Sequence, residues 1–195
     1  MSQNLDAAYW NQRYQQQQTG WDIGSCSTPL ATYFDQLTDK HLRILIPGCG
    51  NAYEAAYLLD KGFTNITVVD IAPLVTATIQ QQLSVYGSAV RVLTADFFDM
   101  QEQFDLIVEQ TFFCALHPDL RSRYVVKMHE LLHAQGKLVG VLFNRSFEGG
   151  PPFGGSIEEY TTLFTARFQL QTLAPCYNSI APRSGSEVFL IARPA

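Results

Sequence analysis

The sequence predicts an α/β fold: a doubly wound, mostly parallel seven-stranded sheet with an antiparallel edge, preceded by N-terminal helices. Three observations support this prediction. Short apolar segments alternate with helical segments in the middle of the chain, as expected for parallel strands covered on both faces. A glycine-rich turn follows the first of these strands. Two further strand segments with a short connection end the chain and can pair antiparallel at the sheet edge.

Length and composition indicate one globular domain. The chain has 195 residues, of which 47% are hydrophobic and 16% charged, enough apolar material for a substantial core. Within this single domain, we expect residues 1–40 to form an N-terminal lid, 41–143 the cofactor-binding core, and 144–195 a substrate flap with the antiparallel edge.

Charge and hydropathy exclude several classes of partner. The net charge is −5 and no Lys/Arg cluster is visible, which argues against a nucleic-acid partner. No apolar run approaches the roughly 20 residues of a membrane span, and no secretory signal is visible, so we expect a cytoplasmic protein without a membrane partner. The cysteines form no C-x-x-C pair, so we expect free thiols and no metal site.

The predicted elements follow in chain order. Helices are expected at residues 6–18 and 29–37, with Thr28 as the N-cap of the second. The core is predicted to alternate between strands and helices, with strands at 42–47, 66–70, 90–94, 104–109 and 137–143, and helices at 53–61, 73–86 and 118–133. A loop at 144–155, a helix at 156–165 and strands at 167–174 and 187–193 complete the fold.

The turn after the first strand is the first candidate binding element. Gly48 and Gly50 lie between a strand and a helix, where glycine permits close backbone approach and positive φ angles. The third small residue is Ala52, so the full dinucleotide-binding fingerprint is absent. Taken alone, such a turn is also compatible with an ordinary tight connection.

Two acidic positions extend this candidate site. Asp70 ends the second strand, where a carboxylate can accept hydrogen bonds from ribose hydroxyls. Asp96 and Phe97 follow the third strand, where they can accept the amine of an adenine and pack on its ring. Together these residues favour an adenosine-containing cofactor, but they leave NAD and S-adenosylmethionine both open.

Longer motifs then point to one family. The chain resembles the thiopurine S-methyltransferase family, which includes plant halide/thiol methyltransferases, over nearly its whole length. The most specific matches are TFFCAL at residues 111–116 and EGGPPF at 148–153; others are YW at 9–10, IPGCG at 46–50 and VDIAPL at 69–74. This chain departs from the common pattern at Tyr14, Ala52 and Gln110.

The resemblance implies a class I methyltransferase fold, similar to the Rossmann fold, with a lid over S-adenosylmethionine. Aromatic residues of the lid are implied to cover the cofactor, which fits cation–π attraction to a sulfonium. By position these are Trp10, Tyr14 and Trp21. The resemblance also implies cofactor contacts, and these lie at Gly48, Asp70, Asp96, Phe97 and Gln110.

The expected reaction is methyl transfer to a small nucleophile: a thiol, hydrosulfide, thiocyanate, halide or thiopurine. Alignment and exclusion of water supply much of the rate for a polarisable nucleophile, so we expect an apolar pocket without a strong general base. The residues predicted to line it are Trp21, Phe112, Phe113, Phe147, Pro152 and Phe153. The alternatives are an NAD-dependent oxidoreductase on a related fold and a non-catalytic S-adenosylmethionine-binding protein.

Three other side chains are not assigned a catalytic role. Cys114 is expected to be a packed thiol, since direct methyl transfer needs no covalent enzyme intermediate. His117 is expected to begin a helix, and Arg145 to lie in a solvated loop; whether either assists catalysis is left open. We expect a monomer.

Overall fold

The computed structural model describes residues 4–195, and these contain a seven-stranded sheet of order β3-β2-β1-β4-β5-β7-β6. The strands are β1 (Ile44–Pro47), β2 (Ile66–Asp70), β3 (Val90–Thr94), β4 (Phe104–Gln110), β5 (Leu132–Phe143), β6 (Phe168–Pro175) and β7 (Glu187–Pro194). The first five are parallel, while β7 runs antiparallel to both β5 and β6. The predicted fold class is confirmed.

Six α-helices accompany the sheet within the described residues: α1 (Ala7–Gln15), α2 (Thr28–Phe34), α3 (Tyr53–Asp60), α4 (Pro73–Gln82), α5 (Arg121–Glu130) and α6 (Ile157–Phe164). The alternating strand residues separate two buried clusters. Leu45 packs in the cluster that includes α5 and α6, whereas Ile44 and Ile46 pack in the cluster that includes α2, α3 and α4. The sheet is therefore covered on both faces, as its apolar strands predict.

The strand order places a crevice at the carboxyl ends of β1 and β4. The chain proceeds from β1 outward to β2 and β3, then returns to β4 on the other side of β1. Connections on the two sides of this reversal diverge, which leaves space for a ligand between them.

The N-terminal helix lies at the rim of this crevice. It begins after Asp6, whose Oδ1 accepts the N–H of Tyr9 at 3.0 Å. Asn11 Oδ1 accepts the N–H of Leu74 at 3.0 Å, which joins α1 to the start of α4. The inner side of α1 packs Trp10 and Tyr14 against the core.

Several predicted boundaries are wrong. The helices predicted to end at residues 18, 37 and 86 end at Gln15, Phe34 and Gln82. The helix expected to reach residue 133 ends at Glu130, and β5 begins at Leu132 with an irregular pairing beside Phe104. Tertiary pairing with β4 therefore overrides the helical pattern. The second helix begins at Thr28 itself, so Ser27 occupies the N-cap position expected for Thr28.

No helix among residues 4–195 is long and apolar enough to cross a bilayer.

Candidate active site

The glycine turn is compressed between two neighbouring segments. Gly48 has φ +56° and Gly50 has φ +49°, values that favour glycine. A Cβ at Gly48 would lie 2.1 Å from Cδ2 of Phe112, and one at Gly50 would lie 2.9 Å from the hydroxyl of Tyr14. The turn thus meets the segment after β4 on one side and the lid on the other.

Asp70 lies beside this turn and braces it. Its Oδ2 accepts the N–H of Gly50 at 3.2 Å, and its Oδ1 accepts the N–H of Ala72 at 2.9 Å. Burial raises the pKa of Asp70 above its usual value, and the backbone hydrogen bonds oppose that rise. Each carboxylate oxygen has room for further acceptance, so Asp70 can also bind hydroxyl donors in the crevice.

The loop after β3 is ordered by Asp96. Its Oδ1 accepts the N–H of Phe98 at 2.8 Å and caps a short 3₁₀ turn, Phe97–Asp99. Phe97 is buried, and its ring lies edge-on to Phe112 with centroids 5.2 Å apart. A carboxylate at the mouth and a phenyl ring in the wall are therefore held next to each other.

The N-terminal segment, which the sequence predicts to form a lid, presents an aromatic cluster. The Trp21 ring lies edge-on to Trp10 at 5.6 Å and to Tyr14 at 6.0 Å between centroids. Burial, followed by the charge of Asp70, raises the pKa of Tyr14. Tyr14 is therefore a neutral phenol, which can donate a hydrogen bond to a ligand but does not act as a base.

These elements surround one cavity of about 660 Å³, a size suited to a cofactor together with a small second ligand. All nine residues predicted to bind the cofactor line it: Trp10, Tyr14, Trp21, Gly48, Gly50, Asp70, Asp96, Phe97 and Gln110. The amide oxygen of Gln110 is buried there without a hydrogen-bond partner, which leaves it available to a ligand.

Three of the six residues predicted for the acceptor pocket lie at this cavity. Trp21, Phe112 and Pro152 line the cavity. Three predicted phenylalanines lie outside its lining and pack elsewhere: Phe113 on Tyr124 and Tyr160, Phe147 on Phe143, and Phe153 on His117. They are therefore core or flap packing residues.

A buried carboxyl organises the turn that carries Phe112 and Phe113. Glu109 Oε1 accepts the N–H of Phe112 at 2.8 Å and of Phe113 at 2.9 Å, while Tyr124 donates its hydroxyl to Oε2 at 2.5 Å. The chain turns at Thr111, which has φ +58°; Phe112 lines the cavity, whereas Phe113 is buried in the core. An acid inside the apolar segment FDLIVE is the signal that points to such a role.

Burial raises the pKa of Glu109 to about 7. Its three hydrogen-bond donors favour the anion, but loss of hydration outweighs them. The group lies behind the cavity wall, so it holds the wall and has no direct access to a ligand.

Other polar residues of the cavity were also missed by the motif analysis. Asp22 accepts hydrogen bonds from Asn51 and, at 3.3 Å, from the hydroxyl of Tyr53. Glu54 accepts the N–H of Ser27 at 3.1 Å, and burial raises its pKa. The acidic residues of the lining, at 22, 54, 70, 96 and 119, outnumber its one guanidinium group, Arg123.

The three unassigned side chains take distinct places. Cys114 lines the cavity, but its Sγ donates to the carbonyl of Thr111 and burial raises the pKa of the thiol. His117 also lines the cavity, with Nδ1 3.3 Å from the carboxylate of Asp119. Arg145 lies outside the lining, over the ring of Phe147.

The sequence pattern of Thiopurine S-methyltransferase (TPMT) matches residues 5–188. The chain belongs to the thiopurine S-methyltransferase family. This membership confirms the prediction of an S-adenosylmethionine-dependent methyltransferase and decides against an NAD-dependent oxidoreductase.

Individual relatives agree with this family. The chain is 29% identical to Probable thiol methyltransferase 2 of Arabidopsis thaliana over 96% of this chain and 84% of that protein. It is 26% identical to Thiocyanate methyltransferase 1 of Brassica oleracea over 96% of this chain and 85% of that protein.

Structural comparison gives the same fold. The chain is similar to the 1,6-didemethyltoxoflavin-N1-methyltransferase of Burkholderia thailandensis, solved with 1,6-didemethyltoxoflavin and S-adenosylhomocysteine. The TM-score is 0.76 at 19% identity, over 97% of this chain and 87% of that one.

Proposed function

We propose that the cavity binds S-adenosylmethionine and that this chain transfers its methyl group to a small polarisable nucleophile, of which thiols are the first candidates. The observation that carries the proposal is the assembly of the Gly48–Gly50 turn, Asp70 and the aromatic lid around one cavity. S-adenosylmethionine supplies an electrophilic methyl group on a sulfonium.

The residues present fit this cofactor. Gly48 and Gly50 line the cavity, and a Cβ at either would collide with another lining residue, Phe112 or Tyr14. Asp70 has acceptor capacity for ribose hydroxyls, while Asp96 and Phe97 suit an adenine, as proposed from the sequence. The unpartnered oxygen of Gln110 is available to a donor on the ligand. The acidic lining favours a cationic cofactor over its neutral demethylated product.

The protein's part in the reaction is to align and to exclude water. Trp21, Phe112 and Pro152 offer apolar surface on the acceptor side. A dry, shaped site suits a polarisable nucleophile, because desolvation and orientation account for much of the barrier. The nearby Cys114 thiol and Tyr14 phenol are held protonated by burial, so neither is a base for the acceptor.

The acceptor range is proposed by likeness to the relatives. One relative is named for thiols and another for thiocyanate, both of which react through sulfur. We extend the range to hydrosulfide, halides and thiopurines. We further propose that the protein is a monomer, acts in the cytoplasm and has no nucleic-acid or membrane partner. The net charge of −5 supports the absence of a nucleic-acid partner.

The test is incubation with methyl-labelled S-adenosylmethionine and a panel of simple thiols, hydrosulfide, thiocyanate, iodide and a thiopurine. We expect label to appear in at least one volatile or thioether product. In parallel, calorimetry measures S-adenosylhomocysteine and NAD binding. Binding of S-adenosylhomocysteine with no methyl transfer across the panel would favour the non-catalytic alternative, and binding of neither compound would refute the proposal.

A further inference from the structure

A buried arginine outside the cavity holds the backbone of the lid. Arg183 is only 8% exposed and lies in the connection between β6 and β7. Its Nη2 donates to the backbone carbonyl of Trp21 at 2.5 Å, and its Nη1 donates to Glu187 Oε1 at 3.2 Å. The guanidinium carbon lies 5.1 Å from the ring centroid of Phe143.

The ion pair alone does not account for this arrangement. Glu187 already balances the charge of Arg183, so the second bond to Trp21 is not needed for charge neutrality. The planar guanidinium holds its N–H donors at fixed angles to one another. Since Nη1 bonds Glu187 of β7 and Nη2 bonds the carbonyl of Trp21, the guanidinium fixes the position of this carbonyl relative to β7. The indole of the same residue lines the cavity and meets Trp10 and Tyr14.

The same connection also holds the second helix of the N-terminal segment. Asn178 Nδ2 donates to Thr32 Oγ1 at 3.0 Å, which joins the β6–β7 connection to α2. The antiparallel edge of the sheet therefore contacts the lid segment at two points that are remote in sequence.

We propose that Arg183 is a positioning residue that fastens the Trp21 backbone, and through it the aromatic lid, over the cofactor end of the cavity. Arg183 itself lies outside the cavity lining, so it acts through Trp21 and does not touch a ligand. The inference rests on the proposed function for the identity of the ligand under the lid. Its structural half, the order of the lid, is testable without any ligand.

The chain offers a matched control for this arginine. Arg121 is 6% exposed, pairs with Glu159, donates to the backbone carbonyl of Gly154 at 2.6 Å and lies over Phe113. It has the same chemistry as Arg183, but the carbonyl it holds belongs to the flap and not to the lid.

The experiment compares R183K with R121K. Lysine keeps the positive charge beside the glutamate, but its single ammonium group lacks the fork that reaches both acceptors. The two tryptophans of the chain, Trp10 and Trp21, both lie in the lid, so intrinsic fluorescence reports directly on this segment. A hydrogen bond from a charged donor is strong enough to change an equilibrium constant by roughly tenfold.

We expect R183K to raise the Kd for S-adenosylhomocysteine about tenfold or more and to increase acrylamide quenching of tryptophan in the absence of ligand. We expect R121K to leave both within about twofold of wild type. E187Q removes the ion pair but keeps the bond to Trp21, so it should lower the melting temperature and retain cofactor affinity. This separates positioning from general stability.

Equal effects of R183K and R121K on affinity and quenching would overturn the inference, as would an unchanged R183K. If wild type does not bind S-adenosylhomocysteine, the proposed function fails, and the quenching comparison still decides whether Arg183 orders the lid. If R183K does not unfold cooperatively, the double variant R183Q/E187Q removes both charges together, and the same two measurements are made on it.

Discussion

Replacement of Gly48 by alanine should damage both stability and cofactor binding. The new Cβ would lie 2.1 Å from Cδ2 and 2.6 Å from Cγ of Phe112. The rings of Phe97 and Tyr124, with centroids 5.2 and 6.0 Å from that of Phe112, block part of its retreat, so Phe112 can move only toward the cavity that it lines. A left-handed φ costs an alanine about 1–2 kcal/mol, and overpacking a fitted site costs about 1–3 kcal/mol more. G48A should therefore lose about 2–5 kcal/mol of unfolding free energy.

Gly62 provides the control. It follows the last turn of α3 with φ +84°, and an added Cβ there would meet no atom within 4 Å. G62A should therefore show only the backbone cost of about 1–2 kcal/mol. Urea denaturation followed by tryptophan fluorescence gives the difference between the variants, which isolates the collision with Phe112.

Cofactor affinity provides the second measurement. Displacement of Phe112 widens or blocks the turn under the proposed cofactor, so we expect G48A to bind S-adenosylhomocysteine at least tenfold more weakly. G62A should bind like wild type, since Gly62 lies outside the cavity lining. If both variants lost the same free energy and bound the ligand equally well, the described contact between the glycine turn and Phe112 would be wrong.

Three other changes test the site. D70N leaves one acceptor oxygen for two backbone N–H groups and a ribose. It should therefore raise the Kd for S-adenosylhomocysteine, measured by calorimetry, about tenfold or more. The control D60N, on the surface, should leave this Kd unchanged. The pKa of Glu109 is raised from 4.5 to about 7. Between pH 4.5 and 7 the native state therefore keeps a proton on Glu109 that the unfolded chain has released. The stabilisation from this group is present at low pH and is lost as pH rises through 7. Urea denaturation between pH 5 and 8 measures how the unfolding free energy depends on pH. E109Q should remove the decrease that Glu109 causes, which is up to about 3 kcal/mol; an unchanged pH dependence would contradict the raised pKa of Glu109. C114A should keep kcat within about tenfold of wild type in the labelled-methyl assay, because a protonated thiol bonded to the Thr111 carbonyl is not a nucleophile. Complete loss of activity in a folded variant would show that the Cys114 thiol takes part in the reaction.

Local patterns in the sequence are enough for the cofactor side of the site. Parallel strands expose their carboxyl ends at one edge, so Gly48, Asp70 and Asp96, each following a different strand, are brought together by topology alone. The aromatic lid residues required the family resemblance, because an amphipathic helix with tyrosine and tryptophan is equally compatible with ordinary core packing.

The acceptor side was less predictable. Phe112 and Phe113 are adjacent in sequence, and composition cannot tell which ring faces the cavity. Glu109 accepts both backbone N–H groups and so fixes the backbone of this turn, and burial in the packed structure raises the pKa of Glu109. Phe147 and Phe153 were assigned to the pocket from a flap motif, yet the flap packs both rings against Phe143 and His117.

By itself the sequence determined the fold class, the order of the strands along the chain, the family and a set of residues that line the cavity, because these depend on periodicity, turn chemistry and short motifs. Only the tertiary structure decided the direction of each aromatic ring, the buried carboxyl behind the wall and the contact between Arg183 and Trp21. Contacts of this kind join segments that are distant along the chain, and their energy depends on burial and on the alignment of donors, neither of which a local pattern contains.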